Sequence, residues 1–156
     1  EAIQLCNGSI TELQEIITTN RVENLKEIIK YFYSGKIDDI EKLLSIMNDM
    51  NTKNKEDLFR YLLHLKVCTK DLYSLYKNNS EAFVQYEFLI ERYKKILALH
   101  SKSNWEEIIN LLNRCIKDLS NNINFTLNLY STMINIQYCL RNDHKNITKS
   151  ELIKGI

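Results

Sequence analysis

The chain has 156 residues, 44% of them hydrophobic, which suits one domain (1–156) with a substantial core. Its 21 basic and 20 acidic residues leave a net charge of +1, so the overall field points to no nucleic-acid partner. Proline is absent, glycine occurs 3 times, and no apolar run reaches the roughly 20 residues of a membrane span, so an all-α fold is expected.

Residues 1–8 carry Cys6 and a turn signal at Asn7-Gly8. Ser9 followed by Glu12 has the spacing of a capping box. It predicts a helix over 10–50, with Ile10, Leu13, Ile17, Leu25, Ile28 and Phe32 on one face and Ile40, Leu43, Met47 and Met50 resuming the phase. Gly35 lies between the two halves; glycine costs a helix about 1 kcal/mol relative to alanine, and a kink is the expectation there. Asn54 is placed to cap a second helix over 55–77, with Glu56 and Asp57 in its positive first turn. Its face is Leu58, Leu62, Leu65, Cys68, Leu72 and Leu75. A third helix is predicted over 81–101, on Phe83, Tyr86, Leu89, Tyr93 and Leu97. Ser103-Asn104-Trp105-Glu106 is another capping pattern. Behind it Trp105, Ile109, Leu112, Ile116, Leu119, Ile123, Leu127, Tyr130 and Ile134 recur at helical steps, predicting one long helix over 103–141. Thr148 followed by Glu151 predicts a short terminal helix over 148–155.

These elements predict an up-down-up-down four-helix bundle with two long outer helices and two shorter ones. The alternative is a three-helix rod running through Asn78-Asn79. At about 1.5 Å per residue, the four-helix path sets Cys68 level with Cys115 and brings Cys6 to Cys139, making these pairs candidate disulfides. The competing reading is a buried thiol, since Cys68 lies on a core face. Disulfides would favour a secreted protein. Asn-x-Ser/Thr sequons at Asn7, Asn78, Asn124 and Asn146 add little in an asparagine-rich chain. Glu1 has no signal peptide behind it, so the chain reads as a mature form, a trimmed piece or an intracellular protein.

No glycine-rich phosphate loop, nucleophile elbow or Cys-x-x-Cys occurs. His64, His100 and His144 lack helical Glu-x-x-His partners and read as surface or boundary residues, so no metal is expected. Asp38-Asp39-Glu41 and Glu106-Glu107 fall where helix surfaces and N-termini carry such charge. Tyr86, Tyr93 and Tyr130 lie on core phases rather than on a basic stripe. The expectation is therefore a protein without enzymatic activity, cofactor, metal or nucleic acid. Asn121, Asn128, Asn135 and Asn142 recur every seven residues and form either a solvated face or a scaffold's partner site. Asn20, Asn24, Thr69 and Thr126 sit on core phases, where unpartnered polar groups would weaken the bundle and permit rearrangement at a membrane. The last helix has a wide apolar end, Leu129, Tyr130, Met133, Ile134 and Ile136, clearly covered only by Ile10, Leu13, Ile16 and Ile17; either the terminal segments pack there or, with Ile10, Leu13 and Ile17, it is the candidate interaction surface for a partner or a membrane.

A proline-free bundle of this size, rich in Asn, Lys and Ile and carrying four cysteines, resembles the secreted microneme proteins that malaria sporozoites need for cell traversal. The resemblance implies a non-enzymatic protein of a microneme-type secretory organelle, acting on a host membrane surface or an unidentified host protein. It assigns no functional residue. The runner-up is the viral Bcl-2-like apoptosis inhibitors, which hold a pro-apoptotic helix in a groove. Asn104-Trp105 is similar to the first half of that family's Asn-Trp-Gly-Arg motif, but Glu106-Glu107 replace the Gly-Arg, and no all-round hydrophobic central helix stands out. A third reading is an intracellular scaffold using the asparagine stripe.

Overall fold

The computed structural model describes residues 1–6, 8–121 and 125–141. Among these residues it is all-helical, with no strand. The helices are α1 (Ala2–Leu5), α2 (Ile10–Thr18), α3 (Arg21–Phe32), α4 (Asp38–Lys53), α5 (Lys55–Asn78), α6 (Ile90–Leu99), α7 (Trp105–Ser120) and α8 (Phe125–Leu140). Two short 3-10 turns, Glu81–Phe83 and Glu87–Leu89, precede α6. Helix starts follow the caps. Ser9 accepts from the Glu12 amide at 3.3 Å, Asn54 from Asp57 at 3.3 Å, and Asn104 from Glu107 at 3.2 Å.

The span 10–50 is three helices, not one kinked helix. Asn20, at a left-handed φ of 55°, separates α2 from α3, and Gly35, at φ 71°, lies between α3 and α4. A side chain at Gly35 would meet His100 Cε1 at 2.6 Å, so the imidazole lies directly against this backbone. Around it, the carbonyls that a helix end leaves without partners are taken by distant side chains. Gln137 Nε2 donates to Phe32 O at 2.9 Å, His100 Nε2 to Tyr33 O at 2.8 Å, and Arg141 Nε to Gly35 O. Gly35 ends the helix because its carbonyl and those just before it are satisfied from outside.

The span 103–141 is likewise a hairpin of α7 and α8. Ser103 Oγ donates to Leu140 O at 2.8 Å and the Asn104 amide to Cys139 O at 3.1 Å, fixing the start of α7 beside the end of α8. The helices run antiparallel. Folding back buries Ile108, Leu112, Cys115 and Leu119 on one helix and Leu129, Met133 and Ile136 on the other. A single rod would have left the far half uncovered.

The helix expected over 81–101 is shortened to α6. Asp71 accepts from the Gln85 and Tyr86 amides at 2.8 and 2.9 Å, holding this stretch outside α-helical geometry. α5 is the structural centre, packed against α3, α4, α6 and α7. It buries residues as varied as Leu58, Tyr61, His64, Leu65, Cys68, Asp71 and Leu72. The helices α4, α5, α7 and α8 contact one another in succession, and α8 closes on α4. The long outer helices of the expected bundle are therefore absent from the described residues. The helix predicted over 148–155 lies outside them.

Candidate functional site

Two concavities flank the second half of α4. One, of about 650 Å³, lies between α3 and α4 and includes Asn24, Glu27, Ile28, Ile46, Asp49, Met50 and, from α5, Tyr61. The other, of about 350 Å³, lies between α4 and α8 and is lined by Leu44, Asn48, Thr126, Leu127 and Tyr130. Asn48 belongs to both. Its Oδ1 is buried and accepts no hydrogen bond from any described residue. Leu127 and Tyr130 are 64% and 42% exposed, large apolar surface beside an open groove. Tyr61 lies on the wall of the first groove, and burial raises its phenol pKa above the usual range.

The interaction surface expected from sequence is split by the α7–α8 hairpin. Leu129, Met133 and Ile136 are core residues, Ile134 and Leu13 are half-buried, and only Tyr130 reaches a groove. Ile10 and Ile17 are 75% and 65% exposed on α2, which packs on α1 and α3 rather than covering the end of α8. α4 carried no such signal, because Ser45, Asn48, Asp49 and Thr52 look like an ordinary solvated helix face.

All four cysteines are free, so the expected pairs Cys6–Cys139 and Cys68–Cys115 are not formed. Their expected alignment requires a four-helix path that the chain does not take. Cys6 Sγ donates to Ile3 O at 3.0 Å. Burial pushes the Cys68 and Cys115 thiols up to about 12 and Cys139 to about 11, far from the thiolate a nucleophile needs.

His64 and His100 are buried, deeper than the surface or boundary placement expected; His144 lies outside the described residues. His64 Nδ1 is 2.8 Å from the Tyr86 hydroxyl. Burial, then the charges of Arg21 and Arg60, lower its pKa to about 4, so it is neutral at physiological pH. Burial raises the Asp71 carboxyl pKa, while the Gln85 and Tyr86 amides and the Tyr93 hydroxyl, at 3.1 Å, hold it back. Arg21 is buried over the Tyr61 ring, 5.9 Å from its centroid, with Nη2 3.1 Å from Asp57. A cavity of about 110 Å³ beside His64 includes Arg60 and Glu12, with Arg60 committed to Glu15 and Glu56. These groups are largely committed to one another, although Arg21 Nε and Nη1 lack partners among the described residues, and they set no nucleophile against a base. Among the described residues no group of three acidic, cysteine or histidine side chains is arranged to hold a metal, and no helix is long and apolar enough to cross a membrane.

Of the polar residues on expected core phases, only Thr69 is buried, bonded to Leu65 O at 2.8 Å and to the Tyr33 hydroxyl at 2.6 Å. Asn20, Asn24 and Thr126 are exposed, which removes the expected weakness of the core. The asparagine stripe is broken, with Asn121 in the turn after α7 and Asn128 and Asn135 half-buried on α8. Asn104 is a helix cap, and Trp105 is buried against Tyr33 at 6.3 Å between ring centroids. Neither lines a groove. No protein-family model, curated protein or solved structure matches the chain.

Proposed function

We propose that this protein acts by binding another protein, not by catalysis, through the two grooves along α4. The observation that carries this reading is their meeting at Asn48, a buried acceptor without a donor, beside exposed Leu127 and Tyr130. Concave apolar surface with a few placed polar groups is the usual form of a recognition site. The ring of α4, α5, α7 and α8, built from other segments than the four helices expected, serves in this proposal as the packed support that presents the grooves. The likeness to sporozoite traversal proteins would make the partner a host protein and the compartment a microneme-type secretory organelle. The free thiols take away the disulfide argument for secretion.

One observation favours the Bcl-2-like reading. α5 buries ten of its residues and is packed by four helices, and this reading takes it as the family's central helix. Under that reading the α4 grooves receive an amphipathic helix, without any help from Asn104-Trp105. A test common to both is an amide chemical-shift titration with amphipathic helical peptides of varied charge, pro-apoptotic helices among them. The expected result is perturbation clustered over 44–52 and 126–130. No perturbation by any peptide, or perturbation confined to the region of Ile10 and Ile17, would overturn the groove reading.

A further inference from the structure

We infer that the α4 groove selects a basic amphipathic helix of a partner protein; this rests on the groove reading above and specifies the partner's charge. Among the described residues the charged side chains lining the two cavities are Glu27 and Asp49, both carboxylates, with no lysine or arginine. Glu27 is exposed and forms no ion pair among the described residues. Asp49 pairs with Lys53 on the same helix at 3.1 Å, but the two side chains are 62% and 75% exposed. An exposed pair one helical turn apart contributes only about 0.3–0.5 kcal/mol, so it yields readily to an incoming cation.

Two carboxylates near the start of α5 are more firmly engaged. Glu15 accepts from Arg60, and Asp57 accepts from the buried Arg21. The acidity of the groove is also local, because the whole chain carries a net charge of +1 and supplies no general attraction for cations. Asn48, which borders both cavities, has a buried Oδ1 without a donor among the described residues, and lysine and arginine bring donors and no acceptor. Ile46 and Met50 on one side, with Leu127 and Tyr130 on the other, provide apolar surface for the opposite face of the same helix. A helix with one apolar and one basic face therefore meets every unsatisfied feature of the site.

The experiment compares two synthetic helices with identical apolar faces, one carrying Lys and Arg, its twin Asp and Glu. Fluorescence anisotropy is read at low and high salt. The basic helix is expected to bind about tenfold or more tightly than its twin and to weaken with salt. The double variant Glu27→Gln with Asp49→Asn should lose most of that preference, whereas Glu106→Gln, outside the groove, should not. Equal or tighter binding of the acidic twin, or an unchanged preference in the double variant, overturns the inference. Acidic binding that shifts amides over 44–52 would leave the groove reading standing, whereas failure of both helices to bind, with no shifts there for any peptide, removes both.

Discussion

Asp71 on α5 and Asn48 on α4 are nearly the same shape, yet they end in opposite circumstances. Asp71 is 4% exposed and accepts from two backbone amides and the Tyr93 hydroxyl. Asn48 is half-buried between two grooves, and its Oδ1 accepts from nothing described. The surroundings repeat the contrast. Near Asp71, Thr69 bonds to Tyr33 and His64 to Tyr86. Asn48, its Oδ1 buried, borders a groove together with Leu44, Thr126 and the exposed Leu127 and Tyr130. Arg21, Trp105 and Gln137 also have unmatched polar atoms, but all three are sealed in the core with at most 1% exposure. A polar group whose demand is met inside holds the fold together; one whose demand is unmet at an opening is free to select a partner.

The strongest way to break this contrast is Asp71→Leu, which keeps the shape and removes the acceptor. It strands the Gln85 and Tyr86 amides and the Tyr93 hydroxyl, and urea unfolding should register a loss of about 3 kcal/mol or more. A loss under about 1 kcal/mol would mean that water replaces the carboxylate easily and that the centre is not closed. His64 gives a second, pH-dependent measure. Its folded pKa is lowered from 6.5 to about 4, so within that interval the unfolded chain binds more protons than the folded one. Its contribution is intact above the unfolded value and is lost as pH falls through the window, about 2 kcal/mol by about pH 5. Asp71, with a raised pKa, works in the opposite sense, favouring the fold as it protonates at the acid end. Thermal melts near neutral pH and near pH 5 should therefore show a drop that His64→Gln reduces. An equal drop in the variant would place the acid sensitivity elsewhere.

Much of the fold was legible locally. Ser9, Asn54 and the Ser103–Asn104 pair announce helix starts, and the apolar phases of α3, α4, α5 and α7 select core residues such as Phe32, Met47, Leu65 and Leu112. Chain reversals were less legible. Apolar spacing carries on from Leu119 to Leu127 whether the helix continues or turns back, and the turn at Gly35 is held by His100, Gln137 and Arg141 from far along the chain. Asp71 and His64 did leave a trace. Each stands three or four residues from buried neighbours, His64 from Tyr61 and Cys68, Asp71 from Cys68 and Leu75. On α5, polar side chains on the core phase mark a buried network, whereas Asn20, Asn24 and Thr126 on other expected core phases are exposed. The grooves left no such trace, since they arise where α3, α4 and α8 come together and belong to no single stretch of sequence.

The smallest expected effect is the sharpest test of the comparison. Asn48→Leu makes nearly the same change of shape and polarity as Asp71→Leu, at a site where the oxygen lacks a donor. Leucine removes the unmet acceptor and has the better helix propensity, whereas its methyl groups gain some exposure at the groove. The balance should be a gain of about 0.5 kcal/mol in urea unfolding, opposite in sign to the Asp71 variant. The same change should weaken the basic helix, because its donors lose the acceptor at the junction of the grooves. A loss of stability above about 1 kcal/mol would mean that Oδ1 is satisfied in solution after all, leaving only the carboxylates and the apolar walls to recognise a partner.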